Sequence, residues 1–179
     1  MTGSGQEDGP EVMWEGRFIT VVRDGRWEYV RRARGIRAVV ILAETDAGEI
    51  VLIEQHRVPI SKPCLELPAG LIGDDDGGAE DTVEAAAARE LVEETGYRPA
   101  RVEQLGEFFS SPGMVSEGFT LVRASGLTRV GEGGGIDGED IVVHHVPREA
   151  IAAFVAAKRH DGVGIDVKLL LLLGGDYLG

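Results

Sequence analysis

The stretch RELVEETGY, Arg89 to Tyr97, decides how this chain reads. Glu90, Glu93 and Glu94 stand three and four positions apart, offsets that bring side chains onto one side of a helix. The residues before them, TVEAAAA, are strong helix formers. Asp81 or Thr82 can cap the start, Asp81 with Glu84 can form a capping box, and Gly96 supplies a stop. A helix over residues 82–95 therefore ends in three carboxylates that repel one another and face the negative end of its dipole. Two readings account for them. One is a solvated acidic face. The other is a site for hard divalent cations, which take oxygen ligands from a few carboxylates and from substrate phosphates. The residues of the stretch leave both open.

Working outward, RFITVVRDGRWEYVRR (17–32) reads as a β-hairpin about Asp24-Gly25. RAVVILAE (37–44) is a nearly continuous β-branched run, the pattern of a central strand, and EIVLIEQHR (49–57) follows it across a turn. Strands are also predicted at 102–109, 118–125 and 140–146, with further helices after Pro147 and over about 166–174. The five leucines Leu169 to Leu173 are too few to span a bilayer and read as a buried helix turn. Residues 1 to about 12, polar and rich in glycine, are expected to be disordered and carry no signal-peptide pattern. Mixed strands with a central helix and late helices predict an α/β sandwich.

Composition narrows the function classes. The chain has 179 residues, 43% hydrophobic and 27% charged, as expected of one soluble domain. Its 31 acids against 18 bases give a formal charge of −13, which repels nucleic acid. The same field repels a phosphate ligand unless bound cations cancel it locally. The single cysteine, Cys64, permits no intrachain disulfide, in keeping with a cytoplasmic protein, and reads as a small packed side chain.

Taken together, LELPAGLIG and RELVEETGY resemble the box of the Nudix hydrolases, G-x5-E-x7-R-E-U-x-E-E-x-G-U with U apolar. Arg89, Glu90, Leu91, Glu93, Glu94, Gly96 and Tyr97 fill its second half in register. The first half departs. The pattern puts its glycine 14 positions before the arginine, whereas Gly70 precedes Arg89 by 19 (89 − 70), so GDDDGG reads as a five-residue loop insertion. The acid eight positions before Arg89 is Asp81, with Glu80 beside it. EQHRVP, ELPAG, SPGMVSE and the acidic loop before DIVVHHVP extend the resemblance to the ADP-ribose pyrophosphatase branch.

That resemblance implies a Nudix α/β/α sandwich with a mixed sheet over residues 36–179. It also implies an N-terminal β-hairpin extension over 13–35 that builds a homodimer. The implied cofactor is Mg²⁺, or Mn²⁺, and the implied ligands are Glu90, Glu93, Glu94, Glu139 and the carbonyl of Ala69. Arg89 orients the box carboxylates. Asp137, on the glycine-rich loop 133–139, matches the catalytic base, with Glu132 and Asp140 as rivals. The glycines at 133 to 135 would let that loop close over substrate. Phe18, Trp27 and Glu28 match adenine contacts, Arg32 and Arg57 match phosphate or base contacts, and Gly113, Met114 and Glu117 flank the terminal ribose. The implied reaction is hydrolysis of ADP-ribose to AMP and ribose 5-phosphate. Other nucleotide sugars, dinucleotide polyphosphates and nucleoside triphosphates are alternatives, as is a non-catalytic nucleotide sensor. No membrane or nucleic-acid partner is expected.

Overall fold

Side chains along RAVVILAE point alternately to two buried faces, and the fold is organised about that strand. The computed structural model describes residues 9–33, 36–73, 82–136 and 138–174. In chain order, β1 (Glu11–Glu15), β2 (Ile19–Asp24) and β3 (Trp27–Arg32) form a three-stranded antiparallel sheet. They are followed by β4 (Arg37–Glu44), β5 (Glu49–Arg57), β6 (Lys62–Glu66) and β7 (Ala69–Ile72). Helix α1 (Val83–Thr95) then leads to the short β8 (Tyr97–Arg98) and the long β9 (Arg101–Phe109). Next come β10 (Gly118–Ser125), β11 (Thr128–Arg129) and β12 (Val142–Pro147). Helix α2 (Ile151–His160), β13 (Gly164–Ile165) and a single turn, α3 (Leu170–Leu173), complete the described chain.

Strands β4 to β7, β9, β10, β12 and β13 make one mixed sheet, in which β4 runs parallel to β10 and antiparallel to β5 and β7. Val39, Ile41 and Ala43 of β4 face α1, packing with Val83, Ala86, Ala87 and Leu91. Val40 and Leu42 face the other way, toward Ile151 and Val155 of α2 and toward Leu169. Helices on both faces explain why the strand is apolar without interruption. Each such side chain, fully buried, contributes roughly 1.5–3 kcal/mol. The result is the α/β/α sandwich that the sequence predicts.

One irregularity positions the site. β4 and β5 pair only at Ala43↔Val51 and Glu44↔Ile50, then diverge. β7 continues along β4, from Val40↔Ala69 to Arg37↔Ile72, while β6 continues along β5, from Ile53↔Glu66 to Arg57↔Lys62. Leu67-Pro68 join the two, so the sheet splits into a fork whose mouth faces the C-terminal half of α1. That helix is held at both ends. The Thr82 hydroxyl accepts from the Ala85 N–H at 3.1 Å, and Gly96 leaves the helix at φ +76°.

Several expectations need correction. The N-terminal extension has a third strand, β1, beginning at Glu11 inside the stretch expected to be disordered; the rest of that expectation, up to residue 8, lies outside the described residues. All five residues of β1 are exposed, so no apolar alternation marked it. The helix cap is Thr82, and the capping box with Asp81, like the inserted loop 74–81, lies outside the described residues. Among the five leucines only Leu169 is fully buried, and Leu170 and Leu173 are exposed. The extension meets the core through Val30, whose N–H donates to the Met114 carbonyl and whose own carbonyl accepts from Ser116 N–H, both at 2.9 Å.

Candidate active site

The fork of the sheet opens into a cleft of about 880 Å³. Ala38 and Val40 of β4, Gln55 and Arg57 of β5, and Glu66 of β6 line it beside Ala69 and Gly70 of β7. Arg89, Glu90, Glu93 and Glu94 enter from α1, and Glu139 from the loop before β12. The second half of the box and the loop acid therefore meet in one place.

Glu94 is the most enclosed of these acids, with only 6% of its surface exposed. Its carboxylate accepts one hydrogen bond from the Ala69 N–H, at 3.0 Å. Burial pushes its pKa up to about 8; the Ala69 N–H and Arg57 oppose the rise, and Glu90 and Glu139 add to it. Glu90 is also raised, first by burial and then by Glu93 and Glu139, against the pull of Arg89. Glu90 lies directly over β7: a Cβ placed on Gly70 would fall 2.0 Å from the Glu90 carboxyl carbon. Gly70 thus has its place in the site despite the insertion between it and the helix. Arg89 donates to the Leu71 carbonyl at 3.2 Å and lies 3.6 Å from Glu90, bracing the helix against β7.

The cationic residues are less free than the sequence suggests. Arg57 makes a two-pronged pair with Glu66, at 2.7 and 2.6 Å, and Glu66 is buried. Sequence reasoning passed over Glu66, although an acid inside the apolar run CLEL is a signal that a partner must be near. Arg32 pairs with Glu117, tying β3 to the loop ahead of β10 while both residues line the cleft. Phe18, Trp27 and Met114 are exposed and do not line the cleft, and neither does Gly113. Glu28 pairs with Arg23 across the hairpin, at 3.3 Å. Asp137 lies outside the described residues.

The glycine-rich loop is seated rather than hanging over the cleft. Gly134 and Gly135 donate their N–H groups to the carbonyls of Glu94 and Glu93, at 2.9 and 3.0 Å. Glu139 folds back so that its carboxylate accepts from Ile136 N–H at 3.0 Å.

The donor chemistry fits a hard divalent cation: oxygen ligands only, several carboxylates, and one buried acid, Glu94, that has no cationic partner bonded to it among the described residues. Among the described residues no three of His, Cys, Asp or Glu gather into a ready-made cage. Mg²⁺ sites commonly rely on one or two carboxylates completed by water and phosphate, so a cage is not required.

The site is thus a split mixed sheet, flanked by helices and carrying acids at a helix end over an arginine-lined cleft. The chain belongs to the Nudix family, whose domain matches residues 33–161. It is similar to the ADP-ribose pyrophosphatase of Bacillus subtilis (strain 168), 35% identical over 59% of this chain and 54% of that one. It is 36% identical to the GDP-mannose pyrophosphatase of Cronobacter sakazakii, over 86% of this chain and 78% of that protein. A methanol dehydrogenase activator of Bacillus methanolicus is 38% identical, again over only 54% of its own length. The crystal structure of an ADP compounds hydrolase superposes with a TM-score of 0.68, covering 92% of this chain and 89% of that one at 22% identity, and shares the fold. The family and its named pyrophosphatase relatives support reading the chain as a Nudix hydrolase.

Proposed function

We propose that the protein hydrolyses the pyrophosphate bridge of a nucleoside diphosphate linked to a second moiety, with ADP-ribose split to AMP and ribose 5-phosphate. One observation carries the reading. Glu94 is buried among Glu90 and Glu139 with a single N–H bonded to it, an arrangement whose charged form a bound cation would stabilise. Glu90, Glu93, Glu94 and Glu139, with the Ala69 carbonyl, would hold Mg²⁺ or Mn²⁺. Such ions neutralise phosphate charge and favour the nucleophilic form of water. Arg57, steadied by Glu66, faces the diphosphate, and Arg89 keeps Glu90 in place. Asp137 takes the proton of the attacking water, a role that rests on the sequence pattern alone.

Phe18, Trp27 and Met114 belong to an exposed apolar set on and beside the N-terminal sheet that includes Val12, Met13 and Trp14. A surface of this kind on a monomer marks an interaction site. In our reading it pairs two copies of the chain, and pairing completes the adenine pocket that Phe18, Trp27 and Glu28 do not form within one copy.

A second substrate, GDP-mannose, is favoured by one specific observation: the GDP-mannose pyrophosphatase relative aligns with 86% of the chain, the ADP-ribose pyrophosphatase with 59%. Purified protein assayed with both compounds, with Mg²⁺ and with Mn²⁺, separates the two. A kcat/KM for ADP-ribose at least about tenfold the larger supports the first, a difference of ~1.4 kcal/mol in transition-state binding. Absence of hydrolysis of any nucleoside diphosphate derivative rules out the enzymatic reading and favours a nucleotide sensor.

A further inference from the structure

The last carbonyls of a helix have no partner within it. In α1 two of them, those of Glu93 and Glu94, are taken up by the loop that follows β11. Besides the bonds from Gly134 and Gly135, the N–H groups of Val130 and Gly131 both reach the Gly96 carbonyl, at 2.8 and 3.2 Å. The fit is close enough to exclude side chains. A Cβ on Gly133, at φ +72°, would lie 2.5 Å from the Thr95 carbonyl carbon, and one on Gly96 would lie 2.3 Å from the Gly131 oxygen. Gly135 serves the loop acid: a Cβ there would sit 2.4 Å from the Glu139 carboxylate. Ile141, buried, closes the far side by donating its N–H to the Gly134 carbonyl at 3.1 Å.

We propose that Gly133, Gly134 and Gly135 form a clip that fastens the base of the Glu139 loop to the final turn of α1, and that Gly133 and Gly135 are positioning residues that set Glu139 against Glu90 and Glu94. This rests on the reading of those acids as one cation site. Both clip bonds end on the backbone of a box acid, Glu93 or Glu94, so loop and helix move as one body. Glu139 is near enough to act electrostatically on both Glu90 and Glu94. A shift of about 1 Å in such a constellation lowers turnover on the order of a hundredfold.

The test compares Gly133→Ala with Gly48→Ala. Gly48, at φ +76°, bears nearly the same backbone strain but has open space where its Cβ would go, in a turn between β4 and β5. Both variants share the positive-φ strain, but only the Gly133→Ala methyl meets backbone, so Gly133→Ala should lose more thermal stability, and both are assayed well below their melting temperatures. Gly133→Ala should lower kcat for the wild type's better substrate by ~30-fold or more, with KM within about twofold and a higher Mg²⁺ requirement. Gly48→Ala should keep its kcat. Equal kcat in the two overturns the proposal. Wild-type protein gives an answer that does not depend on activity or on a variant's folding. The Gly134 and Gly135 amides should exchange with solvent as slowly as those in the last turn of α1. Exchange at the rate of an open loop overturns the clip. A wild type that exchanges slowly but hydrolyses neither substrate overturns the positioning role and the cation-site reading with it, while the clip stands.

Discussion

Glu54 and Glu94 are both enclosed acids, and the molecule treats them in opposite ways. Glu54, on β5 beneath α2, accepts from Lys158 at 2.6 Å and from His144 at 3.1 Å. Burial pushes its pKa up, but those two partners outweigh burial and hold it below the usual carboxylate value. Glu94 has one backbone N–H, two acidic neighbours and a pKa near 8. Glu66 follows the Glu54 pattern, neutralised by Arg57. An acid that serves the fold brings its own cation. Among the described residues no cationic side chain is bonded to Glu94, and in our reading a cation from solution takes that place.

The difference is sharpest in turnover. Glu94→Gln keeps the shape and the contact with Ala69 but removes the charge, and hydrolysis should fall by roughly 10³-fold or more, over 4 kcal/mol of transition-state stabilisation. Glu54→Gln should leave kcat within about threefold, because Glu54 faces α2 and takes no part in the cleft. Comparable losses in both variants would erase the distinction between the two acids. The steady-state rate with ADP-ribose and Mg²⁺, alongside a thermal melt, reads both.

Stability of the metal-free protein should move the other way. The folded pKa of Glu94, about 8, lies above the ordinary carboxylate value of 4.5. Native protein therefore binds more protons than unfolded chain between those values, and stability falls as pH rises from about 4.5 through 8. Glu54 has the reverse sign: its lowered pKa contributes stability above the unfolded value that is lost as pH falls through the folded one. In chelator-treated samples Glu94→Gln should melt higher than wild type at pH 8.5 and by little at pH 5. Added Mg²⁺ should raise the wild-type melting temperature most at the alkaline end. A wild-type curve that is flat from pH 5 to 8.5 without metal would remove the strain assigned to Glu94.

Sequence made the helix and its acids legible because both are local. Propensity, a cap at Thr82, a stop at Gly96 and offsets of three and four all lie within 15 residues (82–96). The central strand was equally plain, since burial on both faces leaves no polar position. What lay hidden was contact between distant segments. Glu66 finds Arg57 across a strand pair, Gly70 makes room for Glu90 beyond an insertion, and Gly133 to Gly135 cap a helix nearly 40 positions upstream (133 − 95 = 38). The three glycines read as freedom for a closing loop. In the fold they give close approach, a use of glycine with the same sequence signature. β1 escaped notice because an exposed strand has no apolar rhythm.

Removing the ammonium from the Glu54 group tests the other side of the comparison. Lys158→Met keeps an unbranched apolar stem but removes the ammonium, which also lies 5.5 Å from the centre of the Phe154 ring, and leaves Glu54 with His144 alone. Losing one partner of an enclosed pair should cost about 2 kcal/mol, discounted because both side chains keep some contact with water. Denaturant unfolding should show the loss at pH 7.5. At pH 5.5 it should shrink, because His144, whose pKa burial lowers first and Lys158 lowers next, charges more readily once Lys158 is gone. An undiminished loss at pH 5.5 would mean that His144 does not substitute for the lysine.

The smallest effect belongs to the opposite end of α1. Thr82→Ala deletes the hydroxyl that accepts from Ala85 N–H and should destabilise the protein by about 1 kcal/mol. Thr82 stands 12 positions before Glu94 (94 − 82), close to 18 Å along a helix at ~1.5 Å per residue. The final turn, by contrast, is held by the glycine loop and by Arg89 on β7. Fraying of the first turn therefore leaves the acids in place, and kcat should stay within about twofold of wild type while the unfolding midpoint drops. If turnover fell in proportion to stability, the site would depend on the integrity of the whole helix rather than on its clamped end, and the separation between acids that serve the fold and the acid that serves a cation would lose its structural basis.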